Sequence, residues 1–250
     1  MSTTTILELR DISFTFPNRS QPILDQFSMP FSSGQKLGLI GPNGCGKTTL
    51  FHIIMGLHKP DSGAILFKGN EVKGKDDFKK LRKDIGLLFQ DADDQLFSPT
   101  VLEDIAFGPL NMGASPKEAR EIALQTLEGL GLTDFAERIT HQLSGGEKKL
   151  VSLATIMAMQ PKALLLDEPT NNLDPQTRHK LIHILRDLDL AYIIISHDWD
   201  FLADTCDDIY AMNAGKVKQC GKAHLHNHSH AHPHGEQPHK HGHNHVKPEA

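Results

Sequence analysis

Apolar residues fall into short runs separated by polar turns. ILELRDISFTF (6–16) and LDQFSMPF (24–31) alternate in part, the pattern of a half-buried antiparallel sheet, with a turn at Pro17-Asn18. KLGLI (36–40) is a short apolar run leading into a glycine-rich turn, and KTTLFHIIMGL (47–57) has helical period. GAILFKG and DIGLLFQ read as further strands, and residues from about 101 to 160 read as mostly helical. There SPKEAREIALQTLEGLGL offers Ser115 as N-cap, Pro116 at the first helical position and Gly129 or Gly131 at the stop. ALLLD (163–167) and YIIIS (192–196) are buried strands flanking an amphipathic helix in PQTRHKLIHILRDLD, the alternation of a parallel sheet with crossover helices. DDIYAMNAGKVKQCG predicts a closing hairpin with its turn at Asn213–Gly215.

From Ala223 onward His, Pro, Gly and Asn dominate and almost nothing could join a core, so 223–250 is expected to be a disordered tail. The 250 residues before and including it suffice for one large domain or two small ones. A net charge of -5 argues against binding nucleic acid through a basic surface. Cys45, Cys206 and Cys220 are widely spaced and form no CxxC pair, so a reducing cytosol is the simpler setting. The N-terminus shows no signal-peptide pattern and no apolar run approaches the ~18–20 residues that span a bilayer, so a membrane role is expected to act through a partner.

The strongest chemical signal is GPNGCGKT, residues Gly41, Pro42, Asn43, Gly44, Cys45, Gly46, Lys47 and Thr48, between a predicted strand and a predicted helix. Glycines let backbone N–H groups turn inward around phosphate oxygens, and the helix N-terminus adds a favourable dipole. Lys47 can reach the β- and γ-phosphates of ATP, and the Thr48 hydroxyl can ligate Mg²⁺. ALLLDEPT then delivers Asp167, a candidate for the Mg²⁺ shell, and Glu168, a candidate for polarising the attacking water.

LSGGEKK (143–149) completes a set of motifs that resembles the ATP-binding cassette (ABC) family over about residues 4–222. The order is phosphate loop, Gln90 after GLLF, LSGG, Asp-Glu, NNLD and His197. The resemblance implies an α/β P-loop NTPase fold: a RecA-like parallel sheet core, an antiparallel β subdomain and an α-helical subdomain at about 91–160, all within an ATPase domain of residues 1–222. It also implies that Ser144, Gly145 and Gly146 bind the γ-phosphate held by a second cassette, and that Asp174 crosses the dimer interface. Glu147 stands where the family usually has Gln. Phe16 is similar to the family's adenine-stacking aromatic, Gln90 to the residue linking Mg²⁺ and water to the helical subdomain, Thr49 to an α-phosphate donor and His197 to a γ-phosphate contact.

FQDADDQLFSPTVLEDIAFGPLNMG (89–113) resembles ATPases of energy-coupling-factor (ECF) importers, especially the cobalt/nickel branch. That implies a peripheral ATPase on the cytoplasmic face of the plasma membrane, energising uptake of nickel or cobalt. Its partners would be a second ATPase copy (identical or a sister chain), a transmembrane coupling subunit and a substrate-binding membrane subunit, with no nucleic acid. The alternatives are an ECF-type ATPase for another substrate such as a vitamin, or a soluble ABC ATPase uncoupled from transport. The tail holds His224, His226, His228, His230, His232, His234, His239, His241, His243 and His245. Interleaved imidazoles suit Ni²⁺, Co²⁺ and Zn²⁺, so the tail is either a transition-metal binder or a solvated extension.

Overall fold

The computed structural model describes residues 4–221. The ten tail histidines and the expected domain limit at 222–223 lie outside the described residues. In chain order, β1 (Thr5–Phe14) and β2 (Leu24–Ser32) lead to β3 (Lys36–Ile40) and α1 (Lys47–Ile54). Next come β4 (Ser62–Phe67), the short β5 (Asn70–Glu71), α2 (Lys75–Asp84) and β6 (Ile85–Leu88). Helices α3 (Val101–Asn111), α4 (Pro116–Gly129) and α5 (Gly145–Met157) follow. The chain closes with β7 (Ala163–Asp167), α6 (Pro175–Asp187), β8 (Ala191–Ile195), α7 (Trp199–Thr205), β9 (Asp208–Asn213) and β10 (Lys216–Gly221).

The strands form two sheets. One is antiparallel, in the order β2-β1-β4-β5; the other runs β10-β9-β3-β8-β7-β6. In the second, β9, β3, β8, β7 and β6 are parallel, and only β10 runs against its neighbour. The expected closing hairpin exists, but its first strand joins the parallel sheet beside β3. Every residue of β7 and β8 is buried, which is why both read as unbroken apolar runs. Alternation sends Leu164, Leu166, Tyr192 and Ile194 toward the core shared with α5 and α6. Ala163, Leu165, Ile193 and Ile195 face α1 and the antiparallel sheet. Each fully buried Leu or Ile contributes about 1.5–3 kcal/mol of transfer free energy, so both faces of the sheet are anchored.

Two helices are absent from the apolar pattern. Helix α2 buries only Leu81, and its sequence KDDFKKLRKD is otherwise polar. Asp76 and Asp77 in its first turn and Arg82 and Lys83 in its last complement the helix dipole. Helix α7 is seven residues long and is started by Asp198, whose side chain accepts from the Phe201 N–H. Helix α4 has the predicted ends: Ser115 caps it with Glu118 in a reciprocal capping box, Pro116 opens it, and Gly131 follows at φ 63°.

This topology assembles one edge. Four parallel neighbours, β3, β8, β7 and β6, end on the same side. Beyond their last residues stand Gly41, His197, Glu168 and Gln90. Residues as far apart in sequence as Gly41 and His197 thus meet where open parallel sheets bind ligands.

Candidate functional site

The loop after β3 is shaped by steric demands at individual glycines. Gly41 has φ 155°, and a Cβ there would lie 2.2 Å from the Met212 carbonyl oxygen and 2.9 Å from Cys45 Sγ. Gly46 has φ 107°, and its Cβ would lie 3.0 Å from the Ile23 carbonyl oxygen. Gly46 is also the N-cap of α1; it has no side chain to cap with, and the first turn holds no acidic residue. The first N–H groups of α1 therefore gain no carboxylate partner from their own turn and suit an anion. Lys47 is buried and folds over the loop, donating to the carbonyls of Gly41 (2.7 Å) and Pro42 (3.2 Å). Gly41→Ala is expected to cost about 1–3 kcal/mol from overpacking and to abolish nucleotide binding; urea unfolding and fluorescent-nucleotide titration check the two effects.

Opposite the loop, β7 and the residue after it deliver two buried carboxylates, Asp167 and Glu168. Burial pushes the pKa of Asp167 up, against the Thr48 hydroxyl, His52, Lys149 and Lys47, which favour its charged form. Its Oδ1 is buried with no hydrogen-bond partner. Glu168 is also pushed up, chiefly by burial, and nearby His197 opposes the shift. His197 Nε2 lies 3.2 Å from Glu168 Oε1. Glu168 sits at φ 44°, held by its N–H donating to the Ile195 carbonyl (2.9 Å). A carboxylate oxygen buried without a partner beside a threonine hydroxyl is a fit for a divalent cation, whose charge would repay the desolvation.

Loop and carboxylates enclose a cleft of about 390 Å³ whose walls include Lys47, Thr48, Thr49, Gln90, Asp167, Glu168 and His197. Asn43, Gly44 and Gly46 of the loop also line it, with Ile23, Asn171 and Ile195. A wider cavity of about 740 Å³ adjoins it, sharing Thr48, Gln90 and Asp167 and reaching Gly145 and Lys149. Ser144 and Gly146 line neither cavity. Phe16 is half-buried at the edge of an aromatic cluster, with its ring edge-on to Phe14 (4.9 Å) and to His58 (5.6 Å). Cys45 is buried at the loop.

Ser144 caps α5 and remains exposed with Gly145. Glu147 closes the capping box: its Oε2 accepts from the Ser144 N–H (2.8 Å), and its Oε1 pairs with Arg138 (2.7 Å). The ion pair with Arg138, with the hydrogen bond from Ser144 added, holds the Glu147 carboxyl below the usual range. A carboxylate at this position thus serves the helix start locally. A Cβ on Gly146 would lie 3.1 Å from Thr177 Cγ2, so α5 begins against the first turn of α6. That turn is capped by Asp174, whose Oδ1 accepts from the N–H groups of Gln176 and Thr177.

Three residues that matter here are given no role by the sequence motifs. Lys149, only 3% exposed, donates to the carbonyls of Phe89 (3.1 Å) and Gln90 (2.6 Å). Lys148 pairs with Asp93 (2.6 Å). Gln95 accepts from the Phe89 N–H (3.3 Å) and donates to the Ser152 carbonyl (2.8 Å) and Thr155 hydroxyl (3.0 Å). The Gln90 segment is therefore fastened to the helix that begins with Ser144. The signal was periodicity: Lys149 lies four and seven residues before Leu153 and Ile156, both buried, so it occupies the inward face of α5.

A glycine loop between strand and helix, facing an Asp-Glu pair on a nearby parallel strand, defines a P-loop nucleotide-binding domain. The chain matches the ABC transporter family model over residues 24–171 and belongs to that family. It is an ATPase domain that hydrolyses ATP, built on the P-loop ABC fold. It is 55% identical over 88% of its length, and 80% of the relative, to a Nitratidesulfovibrio vulgaris protein named provisionally as an ABC transporter ATP-binding protein. It is 41% identical, over 85% of this chain and 69% of the other, to the energy-coupling factor transporter ATP-binding protein EcfA of Methanothermobacter thermautotrophicus. Among solved structures it is similar to cbiO1 of Clostridium perfringens, part of the ABC transporter complex cbiONQ, with a TM-score of 0.77 and 35% identity over 86% and 87% of the two chains.

Proposed function

We propose that this chain is the peripheral ATPase subunit of an ECF-type importer for nickel or cobalt. The observation that carries the membrane coupling is an apolar groove of about 410 Å³ beside the Gln90 segment, walled by Leu57, Phe89, Phe97, Phe107, Met112 and Met159. Phe97 is 65% exposed and Phe107 46%, with their rings packed edge-on at 4.7 Å. Exposed aromatic pairs over an apolar groove fit a helix laid across them. No helix among the described residues is long and apolar enough to cross a membrane, so the spanning element would come from the partner. The EcfA and cbiO1 likenesses support the ECF assignment, and the resemblance of 89–113 to the cobalt/nickel branch supports the metal. A metal-reading role for His224–His245 belongs to the same reading.

In this reading two copies, or this chain and a sister, pair head to tail. Each phosphate loop faces the partner's Ser144, Gly145 and Gly146; Ser144 and Gly145 are exposed in the single chain, and Gly146 is buried behind them against α6. Asp174 stands at the same face. The N–H groups at the start of α1 hold the phosphates, Lys47 swings from the Gly41 carbonyl to the β- and γ-phosphates, Thr49 donates to the α-phosphate, and Phe16 offers a ring to the adenine. Thr48, Asp167 and Gln90 would hold Mg²⁺, which neutralises charge on the phosphates. Glu168 orients and accepts a proton from the attacking water, and His197, whose ring stands beside Glu168, contacts the γ-phosphate. The test is co-expression with the membrane subunits. Phe97→Asp with Phe107→Asp is expected to abolish co-purification and nickel or cobalt uptake, while ATP binding by the isolated chain stays within twofold. Undiminished co-purification refutes the groove as the coupling site, and uptake of a vitamin in place of metal refutes the substrate.

A further inference from the structure

Helix α6 carries His179 and His183 one turn apart, with both residues exposed. Their Nε2 atoms stand 2.9 Å apart, with ring centroids at 4.4 Å and planes at 81°. Neither ring makes another hydrogen bond among the described residues. Packing does not explain the pair, because both rings face outward. The sequence motifs of the ATP site do not use it either.

The separation has chemical content. Two metal–nitrogen bonds of about 2.1 Å meeting at a right angle place the nitrogens about 3.0 Å apart. A tetrahedral angle needs about 3.4 Å. The hydrogen bond already holds the two Nε2 atoms close to the right-angle spacing, so octahedral coordination needs little movement of either ring. In the hydrogen-bonded pair, one Nε2 donates its proton and the other accepts it. If the donor ring moves that proton to Nδ1, both Nε2 lone pairs are free to bind and no proton need leave.

We propose that His179 and His183 form a two-imidazole chelating site for a divalent transition metal that favours right-angle coordination, with Ni²⁺ as the probe. No group of three or more His, Cys, Asp or Glu able to hold a metal exists among the described residues, so the remaining positions are open to water or another donor. The site is separate from the ATP cleft and does not depend on which substrate is transported. Its placement ties it to that cleft all the same. Arg178, beside His179, pairs with Asp198 at 2.8 and 3.0 Å, and Asp198 follows His197. A metal bridging one turn of α6 stiffens the helix that holds this ion pair.

Metal bound across a folded turn stabilises the fold, because the unfolded chain does not hold the two rings together. The ten histidines of 224–245 would compete for metal, so in the full-length chain they are first changed to Gln. NiCl₂ is then expected to raise the urea midpoint of that protein by at least a tenfold change in the folded-to-unfolded ratio, approaching about 100-fold at a hundred times the dissociation constant. Adding His183→Gln is expected to remove the shift and leave the metal-free midpoint unchanged. In amide NMR spectra, six-coordinate Ni²⁺, which is paramagnetic, should broaden the turn from His179 to His183 before other residues. An equal midpoint shift in the His183→Gln protein, no shift in either, or broadening centred elsewhere overturns the site.

Discussion

Glu168→Gln is expected to slow ATP hydrolysis about 10²–10⁴-fold while leaving ATP binding intact. With Glu168 as the proposed base, Gln keeps the size and the hydrogen-bonding edge but cannot accept the water proton. The site is built so that this matters. Glu168 is held at φ 44° by the bond from its N–H to the Ile195 carbonyl, and His197 Nε2 fixes its carboxyl from 3.2 Å. Burial raises its pKa, so it takes up a proton at a higher pH than an exposed glutamate. The acid limb of kcat/KM should therefore lie above the ordinary Glu range, and activity should fall as pH drops through it. The same shift has a stability consequence of defined sign. In the window between the unfolded and the raised folded pKa, the native state binds more protons than the unfolded state, so stability falls as pH rises through it. At neutral pH the charged form is a cost to the fold, and neutral Gln removes that cost. Glu168→Gln should thus melt at or above the wild-type temperature, which separates loss of the base from misfolding. Single-turnover hydrolysis, nucleotide titration and thermal unfolding on one preparation test all three. A turnover rate within tenfold of wild type would show that another group accepts the proton.

Much of this site could be read from the chain because its parts are local. The glycine loop needs its φ values and lack of Cβ within eight residues, and each constraint appears as a letter in GPNGCGKT. The buried strands were legible for a related reason: a strand covered on both faces has no polar positions, as in ALLLD and AYIII. What stayed hidden depends on tertiary partners. Helix α2 has one buried residue, Leu81, so its pattern matches a solvated segment. The sheet order β3-β8-β7-β6, which brings His197 between the loop and Glu168, is set by crossovers that no local motif encodes. Glu147 departs from the family's usual Gln, and its partner Arg138, nine residues earlier, is set by the fold and not by any motif. Lys149 sits in the polar run GGEKK, which reads as surface, and only its spacing to Leu153 and Ile156 marks it as inward.

Lys149→Met is expected to cut hydrolysis about 10–100-fold, the usual scale for losing a supporting contact to a metal-bearing site, with much less effect on ATP affinity. The buried ammonium fastens the carbonyls of Phe89 and Gln90 to α5. Without it, Gln90 keeps its side chain but its carbonyl loses the tie to the helix headed by Ser144, leaving the flanking contacts of Gln95 and of Asp93 with Lys148 to hold the segment. The ammonium also acts on charge. Its pKa is lowered by burial, while Asp91, Asp167 and Glu168 favour its protonated form. In return it favours the charged form of Asp167. Removing it should raise the Asp167 pKa further and increase the Mg²⁺ concentration needed for half-maximal hydrolysis. Fold stability is a balance of two opposed effects. The stranded acceptors cost about 1–3 kcal/mol, and relief of the buried charge offsets part of that, so unfolding should shift little. A purely structural role predicts the reverse: a large drop in melting temperature with kcat per folded molecule and Mg²⁺ dependence unchanged. Measuring Mg²⁺ titrations beside thermal unfolding for Lys149→Met and Lys149→Gln decides between them, since Gln retains a donor to one carbonyl and should recover part of the rate without restoring the charge.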